Sequence, residues 1–200
     1  MNLTRSTQNF IGTSESHLRE TFPDWKPYRI HQIFNWVYHY GYRDFAQMSN
    51  ISKVMRAQLA ERFNFSLPKI QNKTHSQDGS IKYLLRLDDG ALVESVWMPF
   101  ESRKTLCLST QVGCRLNCSF CLTASMGLQR NLTAGEIIGQ CMTVTEDLKK
   151  EDAITNVVFM GMGEPLDNLT PVVDALRLMT APEAMRMSTR KITVSTSGLV

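Results

Sequence analysis

Residues 113–121 read GCRLNCSFC and place Cys114, Cys118 and Cys121 within eight positions. A Cys-x3-Cys-x2-Cys loop folds back on itself so that three thiolates face one centre, which is soft-metal chemistry. A structural zinc site needs a fourth ligand to close its tetrahedron, and the nearest candidates are poor. Cys107 lies seven residues upstream on a predicted strand. Cys141 sits on a predicted helix with Ile137, Ile138 and Val144, the spacing of a packed face. No histidine occurs between residues 76 and 200. A [4Fe–4S] cluster held by three cysteines is the other solution, and it leaves one iron open to a ligand.

Two more stretches carry chemistry. GMGEP, residues 161–165, follows the apolar run ITNVVFM, so two glycines and the carboxylate of Glu164 fall at a strand end. Glycines there permit close backbone approach, to a ligand or simply in a tight turn, and Glu164 offers a partner for an ammonium group. TVSTSG, 193–198, ends another predicted strand in a run of hydroxyls, which is also the composition of an ordinary strand terminus.

The elements that must position these groups change character along the chain. Residues 1–66 read as a helical domain. Ser14 or Ser16 caps the first helix; Pro27 opens a second with Ile30, Ile33, Phe34, Val37 and Tyr38 on one face and Gly41 at its end; and SKVMRAQLAERF continues the pattern through Val54, Leu59 and Phe63. Residues 67–103 form a β-rich connecting segment, in which SIKYLLRL and ALVESVWM are strands and QDG and DDG are hairpin turns; KTLCLST is a third strand. Residues 104–200 alternate helix (134–149), strand (154–160), helix (168–180) and strand (190–196), the order of parallel βαβ units. The fold class is therefore α/β.

Hydrophobic residues at 42% and charged residues at 20% exclude a disordered chain, and the net charge of +3 excludes a polycationic one. The charge is uneven: residues 1–75 hold ten Lys/Arg against five acids. That balance suits either a polyanionic partner or a solvated helical surface. No run of about 18 apolar residues is present, and MNLTRSTQNF lacks an apolar signal core. A cytoplasmic location with no membrane partner is expected, where five cysteines serve metal or redox chemistry rather than disulfides.

Cys114, Cys118, Phe120 and Cys121 together resemble the Cys-x3-Cys-x-aromatic-Cys signature of radical S-adenosylmethionine (SAM) enzymes. ALVESVWMPFESRKTLCLSTQVGCRLNCSFCLTASMG, RNLTAGEIIGQ, GMGEPLDN, ITVSTSG and the N-terminal YRIHQIFNWVYHYGYRDFAQMSNISKVMR resemble the RlmN-type dual-specificity RNA (adenine-C2)-methyltransferases over nearly the whole chain. The resemblance implies part of a radical-SAM (βα) barrel behind a helical RNA-binding domain. It implies a [4Fe–4S] cluster on Cys114, Cys118 and Cys121, and SAM held by Gly163, Glu164 and Ser195. Glu94 would be the base that takes the adenine C2 proton, and Cys107 the thiol that resolves a protein–RNA adduct through a disulfide. The implied partners are 23S ribosomal RNA, transfer RNA and a reducing electron donor such as flavodoxin, with the protein a monomer. A methyl-carrying cysteine belongs to the implied reaction and has no counterpart before Val200, where family members continue for about as long again. The expectation is that these 200 residues alone do not complete catalysis.

Two rivals stand beside this reading. One is the antibiotic-resistance relative that methylates adenine C8, from which Val112 and Pro165 separate this chain at family level. The other is a non-catalytic, zinc-stabilised RNA-binding module, which leaves GMGEP and TVSTSG without a role.

Overall fold

The computed structural model describes residues 7–116 and 118–198; the expectations attached to residues 1–6, Arg5 among the basic residues, lie outside them. A six-stranded mixed sheet forms the body, flanked by a helical module at the N-terminal end of the chain.

The module begins with strand β1 (Gln8–Asn9), helix α1 (Glu15–Thr21) and helix α2 (Pro27–Phe34). Ser14 caps α1, accepting a hydrogen bond from the His17 N–H. Pro27 stands at the first turn of α2 as predicted, and Ile30, Ile33, Phe34, Val37 and Tyr38 are all buried. The helix widens into one turn of π-helix over Asn35–His39 before Gly41. Helix α3 (Lys53–Arg62) leads into β2 (Phe63–Asn64), which pairs in parallel with β1 and so ties the two ends of the module together. Phe10 sits at its centre, with the rings of Phe34, Tyr38, Phe45, Phe63 and Phe65 within 6.4 Å. Such aromatic pairs each add about 0.5–1.5 kcal/mol beyond their buried area. Val54 departs from expectation at 68% exposed. Five residues separate it from Leu59, which turns it about 140° away from the buried face of a helix with 3.6 residues per turn.

The sheet has strand order β10-β9-β6-β5-β4-β3. Its antiparallel half is β3 (Lys69–His75), β4 (Ile81–Arg86), β5 (Leu92–Phe100) and β6 (Arg103–Cys107); the first three are joined by turns at the predicted QDG and DDG sites, and β5 turns into β6 at Glu101 and Ser102. The strand β3, KIQNKTH, was not evident from the sequence: it is an edge strand with almost every side chain exposed, so it shows no apolar alternation. A short antiparallel pair, β7 (Gln111–Gly113) with β8 (Leu128–Asn131), follows β6. Helix α4 (Ala134–Asp147) is opened by a capping box between Thr133 and Glu136. It crosses to β9 (Asn156–Phe159), which lies parallel to β6, and helix α5 (Leu169–Thr180) crosses to β10 (Ile192–Val194), parallel to β9. The predicted βαβ units are thus present, and the β-rich segment continues into them as one sheet. Cys141 is buried on α4 with Ile137, Ile138 and Val144, the packing role its spacing indicated. Burial pushes its thiol up to about 12.

Candidate functional site

The C-terminal ends of the three parallel strands β6, β9 and β10 fall on one edge of the sheet, and the segments that leave them are bonded to each other. After β6 the chain runs through Leu108–Gln111. After β9 it runs through Gly161–Glu164, and the two are laced by Gly161 N–H to Leu108 O (3.0 Å), Thr110 N–H to Met162 O (2.8 Å) and Met162 N–H to Ser109 Oγ (2.9 Å). The glycines of GMGEP explain the approach. A Cβ on Gly161 would lie 2.8 Å from the Leu108 carbonyl oxygen, and one on Gly163 would lie 2.5 Å from Gln111 Cβ. Gly163 also has φ +98°, which side chains rarely adopt. The close approach made possible here is to the neighbouring strand end.

Glu164 is 5% exposed. Its Oε1 accepts hydrogen bonds from the Leu166 N–H and Thr196 Oγ1, and its Oε2 from the Ser197 N–H (3.0 Å) and Ser197 Oγ (3.2 Å). Burial raises the pKa of this carboxyl, but hydrogen bonds from the Ser197 backbone, Thr196, the Leu166 backbone and the Ser197 hydroxyl together pull it below the ordinary glutamate range. Glu164 is therefore a buried anion, and among the described residues no cation pairs with it. Hydrogen bonds stabilise this carboxylate in place of a counter-ion, and its negative charge suits the site to a ligand cation. Four residues on, the buried Oδ1 of Asn168, like Oγ1 of Thr110, has no hydrogen-bond partner among the described residues, while Asn168 Nδ2 donates to the carbonyls of Thr110 and Leu132. The hydroxyls that bond Glu164 come from Thr196 and Ser197; Ser195, singled out in the sequence, is exposed one residue beyond β10. Thr196 and Ser197 are exposed as well; the run of hydroxyls was visible, but which of them reaches Glu164 depends on where β10 stops.

The cysteine loop hangs from the same edge. The pair β7–β8 closes its base, where Gly113 (φ +77°) passes so close to Gly127 that a Cβ would lie 1.8 Å from the Gly127 carbonyl oxygen. Cys114 N–H donates to that carbonyl (3.2 Å). Cys114 is buried, Cys118 and Cys121 are half-buried, and all three are free thiols. The N–H of Ala124 draws the Cys121 thiol below its ordinary pKa despite a small opposing effect of burial, and Thr123 assists, which favours the thiolate that binds metal. Phe120 and Leu122 project into solvent beside them at 92% and 86% exposure. Cys107 and Cys141 belong to the sheet and to α4, so the donor set of the loop is three sulfurs, the set that suits a [4Fe–4S] cluster with one open iron and not a closed zinc tetrahedron. These three residues would hold the cluster.

One link that the sequence did not reveal joins the two halves of the site. Gln111, fully buried, accepts the Glu164 N–H (2.9 Å) and donates to Asp167 Oδ2 (2.8 Å) and Asn131 Oδ1 (2.7 Å). Arg115, inside the cysteine motif, pairs with the same Asp167 oxygen at 2.8 Å. The cysteine loop and the Glu164 loop are thus held in register by side chains 56 and 52 positions apart in pairs 111/167 and 115/167.

The remaining predicted residues lie on the sheet face away from α4. Cys107 at the end of β6 is opposite Val96 and Val158, and burial raises its thiol pKa, partly offset by the Met160 backbone. Glu94 is two residues from Val96, hence on that same face; its carboxylate is ion-paired with Lys82 at 3.0 Å, both half-exposed.

Comparison with known proteins follows the same division. Residues 8–64 match the family model for the ribosomal RNA large subunit methyltransferase N-terminal domain, and residues 108–200 match that of the radical SAM superfamily. The chain is 46% identical to a dual-specificity RNA methyltransferase RlmN of Paracoccus denitrificans and 47% identical to one of Alkalilimnicola ehrlichii, in each case over 96% of this chain and 54% of the relative. It superposes on the crystal structure of a radical SAM methyltransferase from Sphaerobacter thermophilus with a TM-score of 0.83 and 38% identity, over 96% of this chain and 57% of that one. The chain spans about half the length of the curated relatives it matches. No helix among the described residues is long and apolar enough to cross a membrane. With both family models matched in order, a radical SAM fold, and the three-cysteine loop beside a buried carboxylate, the chain is similar to the RlmN-type radical SAM RNA methyltransferases over about half of their length.

Proposed function

We propose that the chain supplies the cluster loop and part of the SAM site for methylation of adenine C2 in 23S ribosomal RNA and in transfer RNA beside the anticodon. The observation that carries this is the buried Glu164, whose hydrogen bonds favour its carboxylate form and which pairs with no cation among the described residues, on the edge that also bears Cys114, Cys118 and Cys121. When bound, cluster and SAM together supply a carbon radical, the chemistry that reaches an electrophilic ring carbon which polar methyl transfer does not alkylate. Glu164 takes the ammonium of SAM, Gly163 keeps the loop at the strand end, and Ser195 contacts the ribose or carboxylate. Gln111 and Asp167 keep the cofactor side in register with Arg115 and the thiolates. Glu94 exchanges Lys82 for the substrate and accepts the C2 proton. Cys107 provides the thiol that resolves the RNA adduct: its sulfur forms a disulfide with the methyl-carrying cysteine, which lies outside these 200 residues, as that cysteine's S–C bond to the RNA breaks and the released carbon takes a proton to become the methyl group. In this reading residues 1–66 bind RNA, 67–103 connect, and 104–200 form the barrel portion, in a cytoplasmic monomer served by a flavodoxin-like donor.

Anaerobic reconstitution tests the reading directly. The expected result is about four iron and four sulfide per chain with broad visible absorption, and loss of both in Cys118→Ala. A colourless protein with a single zinc overturns the radical assignment in favour of a zinc-stabilised RNA-binding module.

A further inference from the structure

The N-terminal module and the segment after α5 enclose an open cavity of about 520 Å³ that none of the proposed roles uses. It is lined by Gln32, Asn35, Trp36, Tyr40, Tyr42, Asn50 and Arg186, and no carboxylate is among them. Trp36 is its apolar wall. Tyr42 meets it edge-on at 4.6 Å, and Tyr40, 62% exposed, leans on it at 5.8 Å.

The hydrogen-bond inventory of the lining is specific. Asn50 Oδ1 accepts Trp36 Nε1–H (2.6 Å), and Gln32 Oε1 accepts an Arg29 guanidinium N–H (3.0 Å). With both carbonyl oxygens engaged, the amide NH2 groups of Asn50 and Gln32 remain as donors. Arg186 comes from the other side of the cavity. Its backbone is in the left-handed region at φ +59°, and its guanidinium bonds Asn35 Oδ1 and lies 3.3 Å from His39 Nε2. Arg29, behind the wall, also donates to the Asn50 carbonyl and lies 4.8 Å over the Tyr28 ring. The cavity therefore combines aromatic faces, paired amide donors and guanidinium charge.

That is the chemistry that captures an unstacked nucleobase: rings stack on its face, amide donors meet its carbonyl or ring-nitrogen acceptors, and cations meet the adjoining phosphates. We propose that this cavity binds one splayed-out base of single-stranded RNA, away from the adenine to be modified; the proposal rests on the RNA-methyltransferase reading above. The aromatic faces make the contact selective for unpaired nucleotides, because pairing and stacking hide a base's ring faces and its Watson–Crick-edge acceptors.

The test is fluorescence anisotropy of the full chain with a labelled RNA hairpin carrying an unpaired loop, and with a fully paired duplex of matching length. Tyr40→Ala is expected to weaken hairpin binding by roughly five- to tenfold, to leave duplex binding unchanged, and to be rescued in Tyr40→Phe. Tyr40 is exposed, so the substitution spares the core. Addition of the hairpin is also expected to quench tryptophan fluorescence, and Trp36→Phe to abolish that quenching. Hairpin binding that Tyr40→Ala does not change, or an equal loss with the duplex, overturns the proposal and leaves the cavity to a peptide or to phosphate contact alone. Absence of RNA binding by the unmodified chain would instead overturn the RNA reading on which it rests.

Discussion

Replacing Gln140 by leucine isolates the energetics that hold the site edge to the body of the protein. Gln140 is fully buried on α4, and its amide makes four hydrogen bonds. Oε1 accepts Ser95 Oγ–H (2.9 Å) and the Ser109 N–H (3.0 Å); Nε2 donates to Ser109 O (2.9 Å) and Glu136 O (3.3 Å). Ser109 in turn bonds the Glu94 carbonyl and the Met162 N–H through its hydroxyl. Leucine is similar in volume but leaves the Ser109 N–H, the Ser109 carbonyl and the Ser95 hydroxyl without these partners. At a mid-range value of about 2 kcal/mol for each of the three stranded buried groups, less about 1–2 kcal/mol recovered from the apolar side chain, the expected loss is about 4–5 kcal/mol. In urea, with a slope of about 2 kcal/mol per molar, the unfolding midpoint falls by roughly 2 M. Ser95→Ala sharpens the test. Alone it costs about 1 kcal/mol, whereas in the Gln140→Leu background it is neutral or stabilising, because it removes a hydroxyl already stranded. A loss below about 1 kcal/mol for Gln140→Leu, or additivity of the two substitutions, refutes the reasoning.

Two further outcomes follow from the site. Gly163→Ala places a Cβ 2.5 Å from Gln111 Cβ at φ +98°, so a loss of about 2–4 kcal/mol is expected. A thermal melt should show the midpoint lowered by roughly 4–16 °C, at about 2–4 °C per kcal/mol for a chain of this size. Glu164 has a pKa below the ordinary value of 4.5 despite burial, owing to its hydrogen bonds. Its contribution is complete above the unfolded-state pKa and is lost as pH falls through the lower folded-state value. Glu164→Gln should flatten the fall in urea midpoint between neutral and acid pH, and an unchanged acid slope would contradict that role.

How much of this could be read without coordinates differs from element to element. Local chemistry made the hairpin turns, the Pro27 start of α2, the buried face of that helix and the core position of Cys141 legible, because each depends on residues within a few positions. The sequence also carried the family resemblance and determined the donor set: three cysteines at fixed spacing carry the same chemistry wherever the loop sits. The edge strand β3 was hidden, since exposure on both faces erases the alternation that marks a strand. Only the tertiary structure decided the rest. Sheet pairing brought Thr196 and Ser197 within hydrogen-bond reach of Glu164, because strand register and termination are set by β9 and not by the TVSTSG run. The Gln111–Asp167–Arg115 link and the cavity between Tyr40 and Arg186 exist because the fold brings distant residues within hydrogen-bond reach, and distances across a fold are not written in sequence spacing.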